Sequence, residues 1–480
     1  MKKFLLILSL LLIFTGCAPE KDNTVKEYLF NSENNGLFPF YCVDNNDILW
    51  RVENKGAFST EKEVNEKSFI KYLKEKDVII FTTDHYDKEG VTFCTLMLKN
   101  SQSQPENIFD NVRLDSIRVK NDGNLLFIDE QDNLYFRHEG ITSRIEGDVV
   151  QSEFVSEDSF LFRLKKAVTE ENEKVYPIYY ATFDYRNFLM NGADIIKADS
   201  ENGKAYIIKN KHTVQKRASS KEVADCYVYG DGEILFSVSS VLLSQFKEKN
   251  HVFLLAVNEK ESTLKYDLYR VDGAEAVKKC ENVISGKSIA KNVFVYEQQT
   301  PTEVRTYITD HTDKVYSYSL GENCSPENIY YAYPYKYLLK NGELLILGEN
   351  EIEAFIDDGI VEVIKEENSL ICIKEKSQPY TINVCNGLSV QNKANDAFFK
   401  DVVLKNNFLY YYSNEGNQLN VVDTWGTRTA LIGNIDTKVG FLCHNGAVAV
   451  LKKDTETLFI VSGKAVMDTE LKIKKFIMEE

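Results

Sequence analysis

The sequence predicts an all-β chain folded as a β-propeller-like toroid of about seven or eight blades. Three observations predict it: short apolar runs separated by turn residues, no sustained helical periodicity, and two phrases that recur along the chain. The runs are rich in Val, Ile, Leu, Tyr and Phe, as in LLFI at 125–128, ILFSV at 234–238, LLIL at 344–347 and FLYYY at 408–412. Bounded by Asn, Asp and Gly, such runs read as strands joined by hairpins. Residues 61–75 and 240–249 are the candidates for single short helices.

The first recurring phrase is a turn glycine, one residue and an aliphatic run. It begins at Gly123, Gly232, Gly342 and Gly446, and the near-equal spacing suggests a period of two blades. The second is a strand with an aromatic residue near its start, then a turn with glycine and a return strand. Copies run from Leu49-Trp50, Leu134-Tyr135, Leu268-Tyr269, Leu419 and Leu458-Phe459, with looser copies at Tyr316 and Phe355. Spacings near 40 to 50 residues suit a four-stranded blade. Two smaller propellers or a β-sandwich array are the alternatives.

The chain opens with Lys2 and Lys3, then an apolar stretch from Phe4 to Phe14 interrupted only by Ser9, then Thr15, Gly16 and Cys17. That stretch is far shorter than the roughly 20 residues that cross a bilayer, so it reads as an export signal. Phe14-Thr15-Gly16-Cys17 resembles the lipobox of bacterial lipoproteins, with Phe14 where Leu is commonest. The resemblance implies cleavage after residue 16 and a diacylglyceryl group on the Cys17 thiol, held on the extracytoplasmic face of a cell membrane. Two acyl chains anchor durably where one does not. The expected domains are therefore the signal 1–16, the lipidated cysteine and polar tether 17–28, and the β-propeller-like body 29–480.

Acidic residues outnumber basic ones, 73 to 57. Nucleic acid is excluded as a partner, because phosphate affinity needs clustered Lys and Arg. An acidic body also stands off anionic lipid. Besides Cys17, eight cysteines lie at 42, 94, 226, 280, 324, 372, 385 and 443 without a CxxC or a regular framework. Cys94, Cys372 and Cys443 sit in or beside apolar runs, as buried free thiols do; one or two disulfides are the alternative.

The stretch 406–431, NNFLYYYSNEGNQLNVVDTWGTRTAL, resembles the repeat of TolB-like propellers and of propeller-type lipoproteins, through Tyr410 to Tyr412, Leu419, Asp423, Gly426 and Leu431. The resemblance implies a fold and a cell-envelope setting, and no catalytic residue.

Two constellations are candidate sites. Thr83-Asp84-His85-Tyr86-Asp87-Lys88 recurs as Thr309-Asp310-His311-Thr312-Asp313-Lys314. Asp84, His85 and Asp87, with Asp310, His311 and Asp313, offer oxygen and imidazole ligands to a divalent cation. The plainer reading is a duplicated turn, since Asp hydrogen-bonds nearby backbone. Tyr331, Tyr333, Tyr335 and Tyr337 would share one face of a strand and suit sugar or peptide recognition; packing between blades is the plainer reading. Gly286-Lys287-Ser288 lacks the glycine a phosphate loop requires, and neither HExxH nor GxSxG occurs. The expectation is a membrane-anchored binding or scaffold module for an envelope protein, peptide or glycan, with no cofactor beyond that cation. An envelope hydrolase or lyase with its active site on the toroid axis is the alternative.

Overall fold

The computed structural model describes residues 40–477 apart from 54–55, 65–66, 101–102, 171–172, 200–203, 217–218, 231, 248–252, 273–274, 291–292, 311–313, 321–324, 350, 367, 376, 414–417, 437–440 and 445–446. The expected signal, Cys17 and the tether lie outside the described residues.

The described chain is an antiparallel meander, interrupted only by short 3-10 turns. Its ladders form seven continuous sheets, four of which have four or five strands and three of which have seven or ten. The long sheets arise because three strands bridge neighbouring units. Residues 275–290, 389–405 and 465–477 each pair with one strand over their first half and another over their second, with register breaks along their length. Cut at those strands and at the single pairing Val241↔Ala256, the meander resolves into eleven units of about four strands. Units one to four span 70–113, 118–146, 149–192 and 194–242. Unit five runs from 253 into the strand 275–290, and unit six continues from that strand to 318. Units seven to nine span 329–357, 360–397 and 402–432, and unit ten runs from 442 into the strand 465–477. Unit eleven is made from both ends of the described chain: Phe40–Asp44 pairs with the end of the strand 465–477 on one side and with Ile48–Glu53 on the other.

Each unit packs its two faces against its two neighbours. Eleven apolar clusters occupy the eleven junctions, from Tyr41, Val43 and Leu49 against Tyr72, Ile79 and Phe81, through Leu126, Leu134 and Phe136 against Phe160 and Phe162, round to Ala449, Leu458 and Ile460 against Cys42 and Val52. That two-sided burial is why the strands are near-continuous apolar runs.

The all-β, propeller-like expectation therefore holds, with more and smaller units than the seven or eight expected. The expected number assumed 50 to 60 residues per blade, whereas most units here are shorter and three strands each serve two units. The strand phrase marks a real repeat. Leu49, Leu134, Leu419 and Leu458 lie in the third strand of their units, Leu268 lies in the strand Tyr266–Asp272 just before the shared strand 275–290, and all five are fully buried. The glycine phrase does not. Gly123, Gly232 and Gly342 sit in the first, third and second turns of units two, four and seven, and share only a positive φ, at 86°, 90° and 82°. Any tight hairpin asks for that backbone, so the even spacing is not a two-blade period. Gly446 lies outside the described residues.

The two expected helices are also corrected. Residues 61–75 hold the end of strand Gly56–Glu63, the strand Ile70–Leu73 and a 3-10 turn Lys74–Lys76. Tyr72 and Leu73 are both buried, one against unit eleven and the other against unit two, as adjacent strand residues are and helix neighbours are not. Residues 240–249 continue the strand Glu233–Leu242 and then make a 3-10 turn Leu243–Lys247, with Val241 and Leu242 buried in different clusters.

One junction device recurs. The Tyr410 hydroxyl in unit nine accepts the Gly463 N–H of unit ten at 2.6 Å, and Tyr337 in unit seven accepts the Gly387 N–H of unit eight at 2.7 Å. Both glycines have φ near +57°, and an aromatic ring two residues before each tyrosine, Phe408 or Tyr335, covers the glycine so closely that no Cβ fits without movement. We expect Tyr410→Phe, which strands a part-buried N–H, to lower unfolding free energy by about 1–3 kcal/mol in urea titration. Tyr333→Phe, at a side chain 67% exposed, should stay within about 0.5 kcal/mol.

Candidate functional site

Unit one ends in the strand Glu106–Arg113, and the register along it breaks twice against the strand Val91–Asn100: Leu98↔Glu106, Met97↔Asn107, Leu96↔Phe109, Cys94↔Val112. Ile108 is one extra residue, and Asp110 and Asn111 together oppose Thr95, with Asn111 at φ 57°. A bulge re-aims the side chains it carries. Here the bulged segment forms one wall of a cleft of about 550 Å³, lined by residues 107–111 together with Asp129, Gln131 and Tyr135 of unit two.

The floor is aromatic. Phe109 lies 4.4 Å from Tyr135 and 5.1 Å from Phe127, and Tyr135 stacks on Phe127 at 5.4 Å with 12° between planes. Phe109 and Tyr135 are half-buried, while Asn107, Asp110, Asn111 and Gln131 are exposed at the rim. Asp110 accepts from Thr95 at 3.1 Å and from Asn107 at 2.9 Å, both on Oδ1.

The opposite wall is fixed by a buried aspartate. Asp129 Oδ1 accepts the N–H groups of Gln131 and Asn133, and its Oδ2 accepts from the Asn133 amide. Asp44 does the same in unit eleven, accepting Asn46 N–H, Ile48 N–H and the Trp50 indole. In both turns a second aspartate three residues on, Asp132 or Asp47, takes a left-handed φ. This Asp-x-x-Asp turn before the third strand is legible in DNNDILW and DEQDNLYF, and neither copy is among the candidates above. The Tyr135 phenol, desolvated and beside Asp129, is pushed above its ordinary pKa.

The hexapeptide 83–88 reaches this cleft, though not through its expected ligands. It is not a turn: Val78–Lys88 is one strand, bulged between Thr83 and Tyr86 with Asp84 at φ 50°, and the hairpin turn is Glu89-Gly90. The bulge splits the expected triad. Asp84 accepts from Thr83, His85 shares a 2.9 Å hydrogen bond with Thr82, and Asp87 accepts from Thr92 at 2.6 Å and Lys67 at 3.1 Å. Burial holds His85 below its ordinary pKa. The residues that touch the cleft are Tyr86, whose hydroxyl bonds Asn111 and Glu130 at 3.0 Å, and Lys88, which bonds Glu130 at 2.5 Å. In the second copy, Asp310 ends the strand Val304–Asp310, and His311 and Asp313 lie outside the described residues. Among the described residues no three His, Cys, Asp or Glu side chains gather as a metal site.

The tyrosine run is corrected as well. It is a hairpin, Ile329–Ala332 against Tyr335–Lys340, turning at Tyr333-Pro334, so the four tyrosines do not share one face: Tyr335 and Tyr337 do, and Tyr331 lies on the other. Tyr331 packs toward unit six, while Tyr337 is fully buried toward unit eight. Tyr333 and Tyr335 are exposed. Of the eight cysteines, Cys42, Cys94, Cys226, Cys372 and Cys385 are buried free thiols and Cys280 is half-buried. Burial pushes Cys94 up to about 12. Cys372 and Cys385 face each other across neighbouring strands, sulfurs 3.6 Å apart.

No protein-family model and no curated relative matches the sequence. Among solved structures, the chain is similar to the tricorn protease, at 9% identity over 92% of this chain and 62% of that one, with a TM-score of 0.21. It is similar to the β-propeller domain of the Trilobed protease from Pyrococcus furiosus, at 10% identity over 76% and 97% with a TM-score of 0.23. The third likeness is to TolB from Acinetobacter baumannii, at 10% over 56% and 79% with a TM-score of 0.22. The chain spans less than two thirds of the tricorn protease, and likenesses of this strength say nothing of activity. No helix of the described residues is long and apolar enough to cross a membrane.

The Lys88 ammonium, then the Tyr86 hydroxyl, hold the Glu130 carboxyl below its ordinary range. A depressed acid contributes its stabilisation above the unfolded-state pKa and loses it as pH falls through the folded one. The Tyr86–Glu130–Lys88 tie should therefore persist from neutral pH to below about 4.3. Carbon-detected NMR titration of the Glu130 carboxyl checks this; a midpoint at or above the ordinary glutamate value contradicts it.

Proposed function

We propose that this chain is an exported, lipid-anchored binding module of the cell envelope, which recognises its ligand at the cleft between units one and two. The observation that carries the reading is the doubly bulged strand 106–113, which with Gln131 of the facing turn sets four exposed polar side chains around a half-buried aromatic floor. Ligand pockets combine apolar surface with a few fixed polar groups, as the aromatic floor and polar rim do here. The hydrolase alternative is less favoured here. Asp129 spends both oxygens on its own turn, which leaves Asp110 as the single exposed carboxylate of the lining, and glycoside hydrolysis takes two. The anchor rests on Phe14-Thr15-Gly16-Cys17 and the short apolar segment before it.

Each half has its own experiment. Wild-type protein should label with radioactive palmitate and partition with membranes, whereas Cys17→Ser should do neither; label retained by Cys17→Ser would sink the anchor. For the cleft, a photo-reactive diazirine residue at Gln131 should yield a specific adduct in living cells. The same residue at Ile141, exposed on the outer strand Ile141–Glu146 of unit two, should not. Identical adduct patterns from the two positions would remove the cleft as the recognition site.

A further inference from the structure

We infer that the cleft takes a neutral glycan, one pyranose ring lying on the Phe109–Tyr135 floor with its hydroxyls read by Asn107, Asp110, Asn111 and Gln131. This rests on the binding-module reading and narrows it to one ligand class. Three features of the cleft select that class.

The first is the floor. A pyranose presents a flat face of C–H groups and a rim of hydroxyls, so it needs an apolar plane with polar groups around its edge. Phe109 and Tyr135 supply half-buried rings 4.4 Å apart, and the exposed polar residues lie at the rim. A peptide would more naturally add a strand along a free sheet edge. The bulges at Ile108 and Asp110-Asn111 break the register of this outer strand and spoil it as a template.

The second is the kind of polar group. Sugar hydroxyls both donate and accept, and the amides of Asn107, Asn111 and Gln131 do the same. Asp110 adds a strong acceptor. Its two protein donors, Thr95 and Asn107, both use Oδ1, and among the described residues no side chain or backbone donor is recorded at Oδ2.

The third is charge. Asp110 and Asp129 line the cleft and Glu130 borders it, Lys88 is paired with Glu130 at 2.5 Å, and the one further cation close to the floor is the exposed Arg144, across the ladder from Tyr135. Among the residues that line the cleft, the charges are the carboxylates of Asp110 and Asp129 alone. A uronic acid, a sialylated sugar or a phosphorylated glycan would bring like charge against these carboxylates, which is costly in a partly desolvated site.

The experiment is calorimetric titration of the detergent-solubilised full chain with cellohexaose, maltohexaose and chitohexaose, and with hexagalacturonate and an uncharged hexapeptide as comparisons. At least one neutral hexasaccharide should bind. Asn107→Ala and Asp110→Ala, both at exposed side chains, should weaken it about tenfold or more, equivalent to about 1.4 kcal/mol. Phe109→Leu, which keeps an apolar packing residue but removes the ring face, should weaken it similarly while circular dichroism stays unchanged. Binding of hexagalacturonate or the hexapeptide in place of the neutral sugars overturns the glycan class and leaves the binding-module reading standing. No heat with any neutral hexasaccharide also overturns the inference, and the Gln131 adduct then decides separately whether the cleft binds anything. A neutral sugar that binds all three variants like wild type removes the site assignment.

Discussion

The structure depends on the pairing of Phe40–Asp44 with the end of the strand 465–477. A four-stranded sheet with two apolar faces cannot stand alone in water, and a row of such sheets always leaves one face bare at each end. Here the two bare faces meet. Tyr41 to Asp44 sit between a strand from the far end of the chain and the strand Ile48–Glu53, and Cys42 and Val52 bury against Ala447, Ala449, Leu458 and Ile460. Val52, Leu458 and Ile460 are each worth roughly 1.5–3 kcal/mol on withdrawal from water. Separating the ends would expose two such faces at once.

Closure also decides where variation is tolerated. Strands with both faces covered have little freedom, and most of the buried residues belong to them. Turns and outer strands face fewer neighbours, so bulges and polar residues collect there. The Asp-x-x-Asp turns at Asp44 and Asp129 show how such a turn stays rigid at the surface: one buried carboxylate satisfies two backbone N–H groups and a side-chain donor. One wall of the cleft is thus a structural device of the repeat, and the facing wall is an outer strand whose register breaks twice, as that of Ile352–Asp357 in unit seven also does.

How much of this the sequence discloses differs from feature to feature, for physical reasons. The third-strand leucines are legible because burial on both faces imposes the same residue type at the same place in each copy. The glycine phrase misleads because a positive φ is a local demand that any hairpin makes. The count of units was hidden by strands such as 389–405, which read as one run yet serve two sheets. Tyr337 and Tyr335, two residues apart, look equivalent in sequence. Yet Tyr337 is fully buried and holds the Gly387 N–H, while Tyr335 lies over the glycine with one side in solvent. Alternation along the strand puts both on the face toward unit eight, and it cannot tell how far along that face the neighbouring unit reaches.

The hexapeptide 83–88 shows the same limit at the candidate site. Its spacing suggests Asp84, His85 and Asp87 as a converging set, because a turn would gather them. In an extended strand, successive side chains alternate, and the bulge at Asp84 shifts that alternation partway along. His85 is thereby drawn inward to Thr82, and Asp87 is left outside with Lys67 and Thr92. Tyr86 and Lys88 are carried across to Glu130 and Asn111 of the cleft. These two residues tie unit one to the turn of unit two. The motif therefore acts by positioning: with the backbone bond from Glu130 N–H to the Asn111 carbonyl at 3.0 Å, it ties the bulged strand to the turn of unit two.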